Sequence, residues 1–126
     1  MRLFKTKWFM RYARQERIED HNLSDAIERA ERGLVDADLG GGIIKQRVAR
    51  AGQGRSSGFR LLIGYRSGNL AVFLYGFAKN ERDNITPDDL NTLREIGAAW
   101  INAQKEYLEK AIKDGVLTEV SYDNKK

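Results

Sequence analysis

Positive charge in this chain is concentrated in one window of the sequence. Between Asp38 and Glu81 no acidic residue occurs, and the window holds seven cations, which are Lys45, Arg47, Arg50, Arg55, Arg60, Arg66 and Lys79. The formal net charge is +4, so the rest of the chain, without these seven, carries −3. Such a basic patch suits a protein that binds a phosphodiester backbone. It also suits an enzyme that stabilises negative charge on a reacting phosphate.

The spacing of three of these cations indicates a shared surface. Lys45 and Arg47 stand two residues apart in an alternating segment, Gly42 to Ala49, and a strand puts such residues on one face. Arg60 begins a second predicted strand, and its planar guanidinium can bind two oxygens of one phosphate. Spacing alone leaves open a second interpretation, in which these are solvated surface cations paired with acidic residues of a helix.

A glycine-rich segment between the two strands carries another candidate. Residues 51–58 contain three Gly and two Ser, which predicts a flexible loop that presents Arg55 and Ser56. The segment has neither the GxxxxGK[ST] spacing nor the strand–turn–helix context of a nucleotide-binding P-loop. Contact between Arg55 and a nucleic-acid backbone, and a mobile arginine on the surface, both remain open.

Composition narrows the class of protein. The 126 residues include one Pro and no low-complexity run, so we expect a single domain over residues 1–122 and a short polar tail over 123–126. Without Cys and with His21 as the one histidine, the sequence predicts no disulfide, no metal site and no cofactor. No apolar run is long enough for a membrane span and no signal peptide is evident, so we expect a cytoplasmic protein without membrane contact.

The periodicity predicts the element order β-α-α-β-β-β-α, with a possible edge strand at Val116 to Tyr122. Ser24 is the expected N-cap of the second helix, Leu34 to Gly42 is expected to be a loop, and one long helix is expected from Thr86 to Gly115. The fold class is therefore α+β. We expect an antiparallel sheet of three to five strands, with two N-terminal helices and a long C-terminal helix. Helices would cover one face, and the cations would project from the other, partly open face.

Three segments in order resemble the RelE/HigB superfamily of toxins from type II toxin–antitoxin systems, and its HigB-like branch in particular. They are GGGIIKQR at 40–47, GQGRSSGFR at 52–60 and YGFAKNERDNI at 75–85. The family's usual K-S-G-G is here Arg55-Ser56-Ser57-Gly58, which keeps the charge and loses one glycine. The resemblance implies a RelE-like microbial ribonuclease fold. It also implies a ribosome-dependent endoribonuclease that cleaves messenger RNA.

Roles for single residues follow from the resemblance. It implies that Lys45, Arg47, Arg60 and Lys79 are catalytic, and that Arg50, Arg55 and Ser56 bind RNA. Cleavage would proceed by attack of the 2′-OH on the adjacent phosphate, without a metal. The implied partners are a cognate antitoxin and messenger RNA on the ribosome, with DNA contacted only through the antitoxin. Two alternatives stay open: a non-catalytic nucleic-acid-binding module, and a ParE-like toxin that acts on gyrase.

Overall fold

The computed structural model describes residues 1–50, 58–81 and 84–122. Within these ranges the strands form one mixed sheet in the order β2-β3-β4-β5-β1-β6. Neighbouring strands are antiparallel except β1 and β5, which are parallel. The elements are β1 Arg2–Thr6, α1 Lys7–Glu16, α2 Asp20–Glu31, β2 Ala37–Gly40, β3 Ile43–Val48, β4 Phe59–Arg66, β5 Leu70–Ala78, α3 Pro87–Ile101, α4 Lys105–Lys113 and β6 Leu117–Val120.

The α+β class and the two N-terminal helices are confirmed. The predicted sheet had too few strands, and it was predicted to be entirely antiparallel. The described part of the chain has six strands, and β1 runs parallel to β5. One added strand, β2, lies in the stretch predicted to be a loop. The three glycines 40–42 all have positive φ, between 64° and 85°, so the chain can turn sharply there and pair β2 with β3. The predicted edge strand is confirmed as β6.

Helix boundaries differ from the sequence prediction at two places. Helix α2 begins at Asp20, and Glu19 is its N-cap, because Asn22 accepts the amide of Glu19 in a reciprocal capping box. Ser24, the predicted cap, lies inside the helix. The long C-terminal helix is instead two helices, because the apolar stripe fails after Ile101: the positions three and four residues further on are Gln104 and Lys105.

Helices cover both faces of the sheet, so the expectation of one open face was wrong as stated. Helices α1 and α2 pack on one side with buried residues such as Leu61 and Phe73. Helices α3 and α4 pack on the other side, which we call the α3–α4 face, with residues such as Ile43 and Leu62. Helix α3 approaches closely at Gly97, where an added Cβ would lie 2.7 Å from Cδ1 of Ile43. Helix α3 contacts the β3–β4 pair at Ile43 and Gly64, whereas Arg47 and Arg60 lie near the other end of this pair.

Candidate active site

Strand register brings three of the predicted cations together. Arg47 on β3 is directly opposite Arg60 on β4, and Lys45 is opposite Leu62. Alternation along each strand places Lys45, Arg47 and Arg60 on the α3–α4 face, and we call these three residues the cation cluster. They line a cavity of about 240 Å³ together with Asp36 and Ala37.

The electrostatics of the cluster favour an anion in this cavity. Arg60 is 7% exposed, and burial lowers the pKa of its guanidinium, with a further contribution from the charge of Arg47. Asp36 acts in the opposite direction on that pKa. Arginine remains protonated at physiological pH, so a desolvated positive charge stays in the cavity wall. An anionic group bound beside Arg60 and Arg47 would lower the free energy of both side chains.

Asp36 belongs to the site although the sequence analysis missed it. Its Oδ2 accepts the backbone N–H of Arg47 at 2.6 Å, and its Oδ1 lies 3.4 Å from the Nη2 of Arg47. The carboxylate thus extends the β2–β3 pairing by one side-chain hydrogen bond, and it holds both the backbone and the guanidinium of Arg47 in position. The missed signal was the turn of three glycines, which places Ala37 opposite Lys45 and so carries Asp36 to the cluster.

Arg29 connects the site to helix α2. Its side chain is 9% exposed, and its Nη2 donates to the carbonyl oxygen of Arg47 at 2.6 Å. Its Nη1 lies 3.6 Å from Oδ2 of Asp36, and its Nε lies 3.4 Å from Oδ2 of Asp25. A second cavity, of about 540 Å³, opens on this side and is lined by Arg29, Arg32, Leu34, Val35, Asp36 and Arg47. Arg47 therefore lies between two cavities, held by Asp36 and Arg29.

The remaining predicted site residues lie at different distances from the cluster. Lys79 directly follows β5, is exposed, and donates its amide to the carbonyl oxygen of Gly58 at 3.0 Å, two residues before Arg60. It is therefore on the border of the site. Arg55 and Ser56 lie outside the described residues, so their predicted contacts with RNA remain predictions.

Arg50 lies apart from the cluster. Its Nη2 is 3.6 Å from Oε1 of Glu16, and its guanidinium carbon is 4.8 Å above the ring of Phe59. Phe59 belongs to the core beneath α1 and α2, so Arg50 points to the side of the sheet opposite the cation cluster. The structure does not bring Arg50 to the cavity, and its role in RNA binding remains a prediction.

The described part of the chain has neither a cluster of potential metal ligands nor a membrane-spanning helix. Over residues 1–50, 58–81 and 84–122, no group of three or more His, Asp or Glu side chains could hold a metal ion. In the same ranges, no helix has the length and apolar character needed to cross a membrane. The described site consists of clustered cations with the carboxylate of Asp36 at their edge.

The family model described as the RelE toxin of the RelE/RelB toxin–antitoxin system matches residues 1–120, which is nearly the whole chain. A comparison with curated proteins finds no match. The match to the family model covers the sheet, all four helices and the cation cluster. The chain therefore belongs to the RelE family of toxins, whose members act within toxin–antitoxin systems and have a cognate antitoxin as partner.

Proposed function

We propose that this toxin is an endoribonuclease of the HigB-like branch that cleaves messenger RNA on the ribosome. The observation that carries the proposal is the buried guanidinium of Arg60, which faces Arg47 across a register pair at a cavity of about 240 Å³. A surface that only holds a nucleic-acid backbone can use solvated cations. A desolvated arginine in a concave site is better suited to stabilising charge that develops during a reaction.

Cleavage requires three tasks, which the residues of the site can share. The 2′-OH must lose its proton, the added negative charge on the phosphate must be stabilised, and the leaving 5′-oxygen must be protonated. Arg60 and Arg47 would bind the non-bridging oxygens of the scissile phosphate and stabilise the added negative charge. One lysine, either Lys45 on the cavity wall or Lys79 at its border, would act in its neutral form and take the proton of the 2′-OH as the 2′-oxygen bonds to phosphorus. The other, in its protonated form, would give a proton to the 5′-oxygen as its bond to phosphorus breaks. Asp36 would hold Arg47 in position rather than react.

Binding of the longer substrate would extend beyond the cavity. Arg55 and Ser56 would contact the RNA backbone beside the scissile phosphate. Arg50, which points to the other side of the sheet, would contact the backbone farther from the cavity, and the ribosome would orient the message. We further propose one domain over residues 1–122 that acts in the cytoplasm, without membrane contact, and that reaches DNA only through its antitoxin. A cofactor is not needed by this scheme.

Arg60→Ala tests the proposal, and Arg66→Ala is its matched control. Both arginines lie on β4, but Arg66 is at the opposite end, where its Nη2 donates to Oδ1 of Asn102 at 2.6 Å. Expression of the wild-type toxin without a partner should arrest bacterial growth, and primer extension should show cuts in translated messages. Loss of one transition-state contact typically costs about 10²- to 10³-fold in rate, so Arg60→Ala should abolish the cuts and Arg66→Ala should retain them.

The outcome also separates the alternatives. Growth arrest with intact messages would contradict the ribonuclease and favour a ParE-like action on gyrase. Cuts that appear equally with purified RNA and no ribosomes would contradict the ribosome dependence alone. Intact messages and unimpaired growth, with RNA still bound, would indicate a non-catalytic binding module.

A further inference from the structure

An apolar groove lies beside the cation cluster, between the start of α1 and the middle of α3. It has a volume of about 290 Å³ and is lined by Thr6, Trp8, Leu74, Tyr75, Leu93 and Ile96. One wall is aromatic, because the ring of Trp8 stacks on Tyr75, with centroids 4.7 Å apart, and on Tyr12, with centroids 5.1 Å apart. The other wall is aliphatic and comes from α3. We call this cavity the aromatic groove.

The path of the chain explains why a large aromatic side chain is exposed here. Strand β1 pairs with β5 only as far as Lys5 and Phe73, and the hydroxyl of Thr6 donates to the carbonyl oxygen of Phe73 at 3.2 Å. The chain then leaves the sheet as α1, so Trp8 lies against the side of β5 just beyond the end of β1. Trp8 remains 43% exposed. An exposed aromatic ring that lines an apolar cavity indicates a binding site, whereas a single exposed apolar side chain elsewhere on the surface does not.

Register places the groove within one residue pair of the cluster. Tyr75 is opposite Leu62, which is in turn opposite Lys45, while Phe77 is opposite Arg60. Two residues along a strand span about 6.8 Å, and the ring centroids of Tyr75 and Phe77 are 6.3 Å apart. A strand of nucleic acid whose phosphate lies at Arg60 therefore needs only one or two nucleotides to reach the groove.

The size of the groove decides between two kinds of occupant. Small-molecule sites measure about 300–1,000 Å³, so the aromatic groove, at about 290 Å³, fits one small flat group. A stable protein interface buries about 800 Å² on each partner, which is far more than six residues around one groove can provide. Bases in single-stranded RNA stack on aromatic rings and between apolar side chains.

We propose that the aromatic groove binds one unpaired nucleobase of the RNA whose phosphate lies at Arg47 and Arg60. The base would pack against the exposed edge of the stack that contains Trp8 and Tyr75, opposite Ile96. This inference rests on the proposed function, because it takes the same RNA as the occupant of the cluster. It adds a binding contact that carries no charge, so it would change RNA affinity without changing the dependence of binding on salt.

Fluorescence of Trp8 tests the contact between the base and this ring directly. The chain has two Trp residues, so Trp100→Phe leaves Trp8 as the single tryptophan. The probe is a 2′-O-methyl hexa-adenylate, which cannot undergo 2′-OH attack, and its matched control is an abasic oligomer with the same number of phosphates. We expect the hexa-adenylate to quench Trp8 emission and the abasic oligomer to leave it unchanged.

Affinity measured by fluorescence anisotropy gives a second readout. Trp8→Ala should weaken binding of the labelled hexa-adenylate by about 5- to 150-fold, the range expected for one stacked base. Trp8→Phe should recover most of the loss. Ile96→Asp, which changes the opposite wall without touching the aromatic stack, should weaken binding as well. Tyr107→Ala is the matched control, because Tyr107 is 57% exposed on α4 and stacks on Trp100.

Several results would overturn the inference. Unchanged affinity in Trp8→Ala and Ile96→Asp, with binding still lost in Arg47→Ala, would remove the base from the groove while leaving the proposed function intact. Absence of any binding or quenching would overturn it too. A dimer that Trp8→Ala converts to a monomer, with RNA affinity unchanged, would make the groove an interface between copies. Quenching by the probe with intact messages in cells would support the groove and contradict the ribonuclease.

Discussion

Replacement of Asp36 by Ala should destabilise the toxin through its effect on Arg47 and Arg29. The carboxylate accepts the amide of Arg47 at 2.6 Å, and a hydrogen bond to a charged group contributes about 1.5–3 kcal/mol. Arg29, whose side chain is 9% exposed, would also lose one partner at 3.6 Å. Because Asp25 still pairs with Arg29, the loss from this second contact should stay well below the about 3–5 kcal/mol of a fully broken buried pair.

The expected total is about 2–4 kcal/mol of stability for Asp36→Ala. For a chain of this length, each kcal/mol shifts Tm by about 4 °C, so thermal unfolding followed by circular dichroism should show a decrease of about 8–16 °C. Asp36→Asn keeps the shape and can still accept the amide of Arg47, so its Tm should fall by less. Asp38→Asn is the matched control, since Asp38 is exposed and its Oδ1 accepts only the nearby amide of Gly40, at 2.9 Å.

Removing the negative charge should affect RNA in the opposite direction. Among the residues that the structure describes, Asp36 is the one carboxylate that lines the 240 Å³ cavity of the cation cluster. One unit charge at about 4 Å in water is worth about 1 kcal/mol, so Asp36→Asn should bind short RNA about 5-fold more tightly at low salt. The gain should fade as salt rises. A variant Asp36→Ala that melts like the wild type, or an Asp36→Asn that binds RNA less well, would refute the assigned role.

Two further predictions concern the packing of the sheet that carries the site. Gly97→Ala should lower the free energy of unfolding, measured in urea, by about 1–3 kcal/mol. The new Cβ would lie 2.7 Å from Cδ1 of Ile43 and would overpack α3 against the sheet. A variant more stable than the wild type would contradict this packing. Burial, with a hydrogen bond to Glu31, raises the pKa of Tyr65 from 10.0 to about 12. The unfolded chain therefore loses this proton first, and Tyr65 should contribute to a fall in stability between about pH 10 and pH 12. Tyr65→Phe should show a smaller fall than Tyr107→Phe.

Strand periodicity was sufficient to predict which cations share a face. Lys45 and Arg47 alternate with the buried residues Ile44, Gln46 and Val48, and that alternation fixes the direction of each side chain once the segment is a strand. Periodicity carries no information on register. That Arg60 lies opposite Arg47 rather than one pair away depends on the segment between the two strands, and glycine-rich segments allow several lengths of turn.

The supporting contacts could not be read from the basic window. Asp36 lies two residues before Asp38, where the basic window begins, so charge did not mark it. The residues around it do alternate, as Val35-Asp36-Ala37-Asp38-Leu39, but the run was predicted to be a loop because it ends in three glycines. The role of Asp36 appears only when the three glycines turn β2 back onto β3. The break between α3 and α4 was missed for a different reason: capping of α3 by Thr86 was clear, whereas the end of a helix depends on a local loss of apolar contacts.

Helix α2 positions the cation cluster through hydrogen bonds to β3. Arg29 extends from α2 to the carbonyl oxygen of Arg47 at 2.6 Å, and Gln46, the fully buried neighbour of Arg47, donates to the carbonyl oxygen of Ala26 at 2.9 Å. Two adjacent residues of β3 are therefore hydrogen-bonded to α2, which packs on the face of the sheet opposite the cation cluster. Because buried polar groups lose much of their stabilisation when a partner moves, a displacement of α2 cannot leave Arg47 in place. The geometry of the cation cluster thus depends on a helix that does not itself line the 240 Å³ cavity.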